Sequence, residues 1–584
     1  MALRSARPQR APAGARTLVF GVLLGLVIGL TLAVFKPQQP SDGAPASGSS
    51  SSVAAQWQQP QQQQPGGSWW RRPALPADLP MEVYARGPSQ DQQAIARVAA
   101  LLSDGEKKQL RELCGRTLYH SLQTGWVSHE TGTWTFVATG DLPLMWIRDS
   151  AVQIGVLLPR IAKRPALRRV IEGAIRAQAF YITQDPYANG YEPEWRHPDE
   201  RHGGDRILGR GGWVGVRNYE LDSGAYYLNL LWNWYAQPGL YRPDTLLDDP
   251  LIFGAANLLV DVWIREQRHN ASSPYRYTEL TNGGLGPEVE FTGMTWSGFR
   301  PSDDASQYGF PIPANMYAAA GLERALELNR RIWKDEEFDA KASRLLHDIQ
   351  SGIEKHGRVQ KDGATIYAYE VDGKGDSLTD FDDPNIPSLV SIPILGYKGY
   401  DKAVYEATRQ RLLSSKTNNF YFEGSEFKGM GSPHTAHRMA WALGIYTEVL
   451  TASTPEKQAE GLRTLLKLQC GDGLMHESVN VDDLKQCTRK WFEWANALLV
   501  VSVEQLLGYD CDAAAQAFHL GYVAARESKG DGRGGEPRLF QTAESAMQWD
   551  GIYKSKVADW KGIGHLVPIE DEAANPADVN PVEV

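Results

Sequence analysis

Cysteine is scarce in this chain: Cys114, Cys470, Cys487 and Cys511 are the four in 584 residues, with no C-x-x-C pair. That spacing excludes a zinc ribbon and a disulfide scaffold, while leaving room for one or two disulfides. Positive charge is not in excess either. Sixty Lys and Arg against seventy Asp and Glu give a formal charge of −10, so the counterion release that drives binding to phosphate backbones is weak and no nucleic-acid partner is expected. A G-x-S-x-G elbow, a P-loop and a dinucleotide fingerprint are all missing, which removes the usual support for acyl transfer and nucleotide chemistry. His476-Glu477 opens like a zinc-protease motif, but position 480 is Asn and the second histidine is absent. No motif recurs at fixed spacing, which argues against an open helical solenoid.

What is present is enough to fold. Hydrophobic residues make up 42% and aromatic ones 10%, including eighteen Trp and twenty-four Tyr, a load that suits either a thick core or stacking against sugar faces. Residues 18–35 carry no charge, and at ~1.5 Å per residue they nearly span a ~30 Å hydrocarbon layer. Arg4, Arg7, Arg10 and Arg16 precede this stretch without an acidic residue, which holds residues 1–17 as a cytoplasmic tail and sends the rest into a lumen. The expectation is a single-pass type II membrane protein of the Golgi or ER, anchored by its N-terminal helix. The alternative is a cleaved signal giving a secreted form, although its apolar region is usually shorter and no small-x-small cleavage site directly follows Phe35. Residues 36–80 are rich in Gln, Pro and Ser and read as a disordered stalk. Asn270-Ala271-Ser272 is a glycosylation sequon for that compartment.

Residues 81–526 read as the catalytic domain, with 527–584 as a linker and tail. Leu167, Val170, Ile171, Ala174 and Ile175 recur at helical spacing. Asp249-Pro250 and Thr454-Pro455 place a capping side chain before a proline at the first helical position, and Gly471 and Gly508 mark helix ends. Eleven to thirteen helices are expected, with strands confined to places such as 358–370, where Asp362-Gly363 turns a hairpin. The fold class is mainly α, and a closed double ring of helices, with its loops forming a crater, is the favoured architecture.

Chemistry concentrates in the loops. One loop carries Trp146, Arg148, Asp149 and Ser150, and another carries Glu220 and Asp222, where helix capping alone accounts for the acidic residues. A third contains Trp296, Arg300 and the adjacent Asp303 and Asp304, whose proximity and burial favour a protonated acid. Further stretches hold His434, and His476 with Glu477. Asp382-Asp383 lacks the spacing of a calcium loop and suits sugar hydroxyls or a loop cap equally. Carboxylates and tryptophans together are the equipment for glycosidic hydrolysis, in which one acid protonates the leaving oxygen and another carboxylate handles water or the anomeric carbon.

In order along the chain stand GDLPLMWIRDS, YELDS, TGMTWSGFRPSDDASQYGFPIPANMYA, YAYEVDGKG with DDPNIPSLVSIP, FYFEGSEFKGMGSPHT, and MHES with TRKWFEWANAL. Together they resemble glycoside hydrolase family 125, exo-acting α-1,6-mannosidases with an (α/α)6 barrel. The resemblance implies a metal-independent inverting enzyme without cofactor, with Asp303 as general acid and Glu477 as general base. By motif position it also implies that Arg148, Asp149, Asp222, Trp296, Arg300, Asp304, Asn315, Asp383, His434 and His476 bind an α-mannoside or mannosylated glycan, with Trp146 a further stacking candidate. Asp303 is expected to be kept protonated by low-polarity surroundings and by Asp304. The layout before and after the core resembles fungal secretory-pathway members, and the protein is read as a monomer. A calcium-dependent α-1,2-mannosidase and an inactive glycan-binding protein are the competing readings.

Overall fold

A computed structural model describes residues 75–124, 127–128, 134–193, 212–238 and 245–517. The expected anchor at 18–35, most of the stalk and the tail lie outside these residues. Among the described residues, no helix is long and apolar enough to cross a membrane.

Among the described residues, twelve α-helices of eight residues or more dominate: α1 (Gln92–Ala99), α2 (Asp104–Thr124), α3 (Ile147–Leu157), α4 (Leu167–Gln184), α5 (Leu221–Ala236), α6 (Pro250–Glu266), α7 (Ile312–Leu328), α8 (Glu336–His356), α9 (Lys402–Leu412), α10 (Ala442–Leu450), α11 (Pro455–Lys467) and α12 (Glu493–Leu507). Their burial sorts them into two layers. Every residue of α3 and α5 is buried, as a helix enclosed on all sides requires. By contrast α8 buries one stripe, Phe338, Ala342, Leu345, Ile349 and Ile353, and α4 buries the stripe read from its sequence.

The enclosed helices pack side by side, α12 against α3, α3 against α5, α5 against α7, and α10 against α12. Outside them run α2, α4, α6, α8, α9 and α11, so the chain alternates outer and inner elements in an (α/α)6 toroid. The sixth inner position, between α8 and α9 in sequence, is not a full helix. Residues 381–392 run there as irregular chain, buried throughout, with a single 3-10 turn at Ile392–Ile394.

Sequence punctuation is reproduced in the structure. Asp249 caps α6 through Leu251 N at 3.0 Å, Thr454 Oγ1 accepts from Lys457 N at 3.4 Å, and Gly508 ends α12 at φ 62°. Arg358–Lys361 pairs with Ala364–Tyr367 around Asp362 and Gly363, both at positive φ. Strands are nevertheless more widespread than expected, forming six sheets of two or three short strands among the described residues. The stalk boundary also moves. Leu79 is buried and its carbonyl accepts from Trp232 Nε1 at 3.1 Å, so this apolar residue already belongs to the folded domain.

Both cysteine pairs are joined, Cys114 to Cys511 and Cys470 to Cys487.

Candidate active site

Strand Met145–Trp146 pairs with Gly190–Tyr191 and α3 begins at once, which sets Arg148 and Asp149 in its first turn. Neither Asp149 nor Ser150 caps this helix, contrary to the capping expectation. Ser150 Oγ donates to the Trp146 carbonyl at 2.6 Å, and Asp149 accepts from Thr139 Oγ1. Arg148 is buried, with Nη1 2.6 Å from Glu220, Nε 3.5 Å from Asp149 and Nη2 3.5 Å from Asp303. Its guanidinium sits 5.1 Å over the Trp494 ring.

Asp222, in the first turn of α5, is not a cap either: neither of its buried oxygens finds a hydrogen-bond partner outside its own residue. Burial pushes Asp222 up to about 7 and Glu220 well above the usual carboxylate range, against the opposing pull of Arg148. Asp149 is likewise raised by burial.

Asp303 stands at the tip of a tight loop in which Asp303 N donates to the Arg300 carbonyl at 2.9 Å and Arg300 N to that of Asp304 at 2.8 Å. The turn forces Asp303 to φ 66°, a left-handed conformation that aspartate tolerates better than most residues. Its Oδ1 accepts from Asn189 Nδ2 at 2.7 Å and Asn218 Nδ2 at 3.1 Å. The expected low-polarity surroundings are therefore absent. Nor does Asp304 turn toward it: Asp304 accepts from Ser432 Oγ at 3.0 Å and meets His434 Nδ1 at 3.1 Å. That hydrogen bond raises His434 above its ordinary value against partial burial.

Glu477 leads into strand Ser478–Asn480, which pairs with Met439–Trp441. Its Oε2 accepts from Thr488 Oγ1 at 3.0 Å, and Oε1 lies 3.7 Å from Arg489 Nη1. Burial raises its proton affinity, with Arg489, Thr488 and His434 opposing. Arg489 is itself held by Asp141, at 2.8 Å from Nε and 2.7 Å from Nη2, and lies 4.5 Å over Phe492.

Asp303 and Glu477 line one cavity of about 270 Å³. Arg148, Asp149, His434 and Trp146 line it too, so six residues singled out in the sequence converge. Three others sit one shell behind. Asp304 bonds His434, Asp222 feels the charge of Arg148, and Asp383 accepts from Ser302 Oγ at 2.6 Å and Asn385 N at 2.8 Å. The neighbouring Asp382 caps its own loop through Leu389 N and Val390 N, at 2.8 and 3.0 Å.

Four candidates belong elsewhere. Trp296 is fully buried and stacked on His269, ring centroids 3.5 Å apart, because a large apolar ring is better placed in the core. Arg300 pairs with buried Glu370 at 2.6 Å and shapes the loop. Asn315 is spent on the backbone of Thr295, accepting from its N at 2.9 Å and donating to its carbonyl at 3.1 Å. His476 bonds the Arg489 carbonyl at 2.9 Å and Asp472 at 3.2 Å and is not among the residues lining the cavity. Arg489, Phe492 and Trp494, which stand in the TRKWFEWANAL stretch without an assigned role, line the cavity as well, as does Trp441, which the sequence reading did not single out. Asn189 was also missed. Its only local signal is the turn-forming Asn189-Gly190 pair.

The family described as metal-independent alpha-mannosidase (GH125) matches residues 107–503. A fission-yeast protein, the meiotically up-regulated gene 157 protein of Schizosaccharomyces pombe, is 32% identical over 443 residues, covering 71% of this chain and 85% of that protein. Among solved structures, a metal-independent alpha mannosidase of Streptococcus pneumoniae, in a non-productive complex with alpha-1,6-mannobiose, superposes with a TM-score of 0.63 at 35% identity, covering 72% of this chain and all of that one. A helical toroid whose crater gathers carboxylates, two arginines and tryptophans is the frame of a glycoside hydrolase. The chain belongs to glycoside hydrolase family 125, a family of metal-independent α-mannosidases.

Proposed function

We propose that this protein removes terminal α-1,6-linked mannose from mannosides or glycoprotein glycans by a single inverting displacement. Asp303 gives its proton to the glycosidic oxygen as the bond to the anomeric carbon breaks, while Glu477 takes a proton from the water that attacks the opposite face. The observation that carries this reading is the shared cavity: two carboxyls 174 positions apart in the sequence, 477 minus 303, line one enclosure that also holds Arg148 and Asp149. Burial makes Glu477 a stronger base, and Thr488 and Arg489 fix its carboxylate. The mannobiose bound by the pneumococcal relative supports the choice of linkage.

The same proposal places the catalytic domain in the lumen of the secretory pathway behind the anchor at 18–35. Two disulfides support an oxidising compartment. Proton NMR of the first sugar released from α-1,6-mannobiose tests linkage and stereochemistry together. β-Mannose appears first under this mechanism, and α-mannose first overturns it.

A further inference from the structure

Cys470 and Cys487 close a loop with a sequence separation of 17, and Glu477 lies inside it. The residue after Cys487 is Thr488, whose hydroxyl grips Glu477, and the next is Arg489, whose guanidinium faces the same carboxylate. This arm is folded back on the base. Thr488 N donates to the Ser478 carbonyl at 3.0 Å, Ser478 N to Thr488 Oγ1 at 3.1 Å, and Val479 bridges to Cys487. Cys470 follows α11 closely and adopts φ 49°, so the bond ties the arm to an outer helix. His476, next to Glu477, brings a ring nitrogen within 4.8 Å of both sulfurs. The disulfide, His476 and the base therefore form one contiguous unit.

The two disulfides differ in access. Cys114 and Cys511 are fully buried, whereas Cys470 and Cys487 are each partly exposed. A dithiol in solution reaches the second pair first.

We propose that the Cys470–Cys487 disulfide is a reducible brace that positions the catalytic base, holding Thr488 and Arg489 against Glu477, and that cleaving it lowers turnover. The inference rests on the assignment of Glu477 as base. In the reaction the dithiol supplies two electrons and two protons, the sulfur–sulfur bond breaks to give two thiols, and the reagent closes to its own disulfide. Nothing at the acid changes, since Asp303 is held by Asn189, Asn218 and Arg148 on other elements.

Loosening the arm admits water to Glu477. Burial is the main cause of its raised proton affinity; Arg489, Thr488 and His434 oppose it, and Asp141 adds to it. Wetting the carboxylate thus moves the acid limb of the kcat/KM profile to lower pH, because the ionised base persists further down. Thr488→Val, which leaves the disulfide and the Thr488 N bond to the Ser478 carbonyl in place but removes the hydroxyl's hydrogen bonds to the carboxylate and to Ser478, moves the limb the other way.

The test uses the full chain with α-1,6-mannobiose, treated with a mild dithiol, the cleaved pair being identified by alkylation and mass spectrometry. Expected is selective loss of the Cys470–Cys487 bond, a fall in kcat of roughly ten- to a hundredfold with KM changed about twofold or less, and recovery on reoxidation. The double variant Cys470→Ser/Cys487→Ser shows the same kcat loss and the downward limb shift. Cys114→Ser/Cys511→Ser, the control, keeps kcat at temperatures well below unfolding. Unchanged kcat and pH profile in a folded Cys470→Ser/Cys487→Ser variant overturn the brace. If that variant misfolds, reversible dithiol inhibition of the wild type decides, and its absence overturns the brace equally. Wild-type turnover by Glu477→Gln would instead overturn the base assignment beneath it.

Discussion

Replacing Asp303 by Asn is the sharpest perturbation of the proposed acid, and the structure fixes what else it changes. The carboxamide keeps an oxygen for Asn189 and Asn218, which donate at 2.7 and 3.1 Å. Its amino group then faces Arg148, 3.5 Å from the lost Oδ2. Arg148 retains Glu220 at 2.6 Å, so no buried charge is left alone and the loss in stability is about 1 kcal/mol. Removing a general acid costs ~10²–10⁴ in rate, or about 3–5 kcal/mol at ~1.4 per decade. The catalytic loss therefore exceeds the structural one severalfold. The assay compares α-1,6-mannobiose, whose leaving oxygen needs a proton, with α-mannosyl fluoride, whose leaving fluoride needs far less help. Asp303→Asn is expected to lose mannobiose turnover while retaining most of its fluoride turnover and a near-native Tm. Equal loss on both substrates, in a folded protein, refutes the acid assignment.

Three further outcomes follow from the same geometry. Glu477→Gln abolishes turnover of mannobiose and fluoride alike, since both need activated water, and circular dichroism and mannoside binding stay close to wild type; turnover of either substrate at the native rate would contradict this. Arg489→Met removes a cation 3.7 Å from Glu477 that opposes the effect of burial. The base then holds its proton to higher pH, and the acid limb of kcat/KM moves upward, whereas a downward move would count against the pairing. Asp222 titrates at about 7 when folded and near 3.9 when unfolded. The neutral form is the one the fold favours, so its contribution is complete below the unfolded value and fades as pH rises through about 7. A melting series should show wild-type stability dropping by up to ~1.4 kcal/mol per pH unit in that window, with Asp222→Asn flattened, and parallel curves would exclude Asp222 as the titrating group.

How far the sequence could be read depended on which force was acting. Stripes such as Leu167 to Ile175 and caps such as Asp249 are local, and the structure reproduces them. The inner helices α3 and α5 are buried on all sides, so they have no polar face to betray their periodicity, and loop motifs at their starts located them instead. Short strands such as Met145–Trp146 consist of two residues and carry no alternation to detect. In the site, motif position located Arg148, Asp149, Asp303, His434 and Glu477, but residue type could not separate them from Trp296, Arg300, Asn315 and His476. Each of those four is consumed by a partner remote in sequence or by backbone. Long-range pairing also hid Asn189, which reaches Asp303 from 114 positions away.

The crowding of acidic groups at one end of the ring calls for a compensating source of positive potential, and Arg148, facing Glu220, Asp149 and Asp303, and Arg489, facing Glu477, are two charges among more acids. The starts of the inner helices add to that potential. Asp149, Asp222 and Glu493 each occupy the first turn of an inner helix, α3, α5 and α12, where unpaired backbone N–H groups carry roughly half a positive charge. A carboxylate at such a terminus gains ~0.3–1 kcal/mol when exposed and up to ~2 when partly buried. The three helix starts lie at the same end because outer and inner helices alternate in direction around the toroid, so the architecture that brings the loops together also furnishes the field that tolerates their acids. Burial still wins at Asp222, which neither Arg148 nor the helix terminus keeps in the usual carboxylate range. Glu493 goes the other way and is lowered despite its burial, because His120 and Asn496 meet its carboxylate directly, at 3.5 and 2.8 Å. The helix terminus therefore biases these groups, while direct hydrogen bonds outweigh burial at Glu493 and the one from Thr139 does not outweigh it at Asp149.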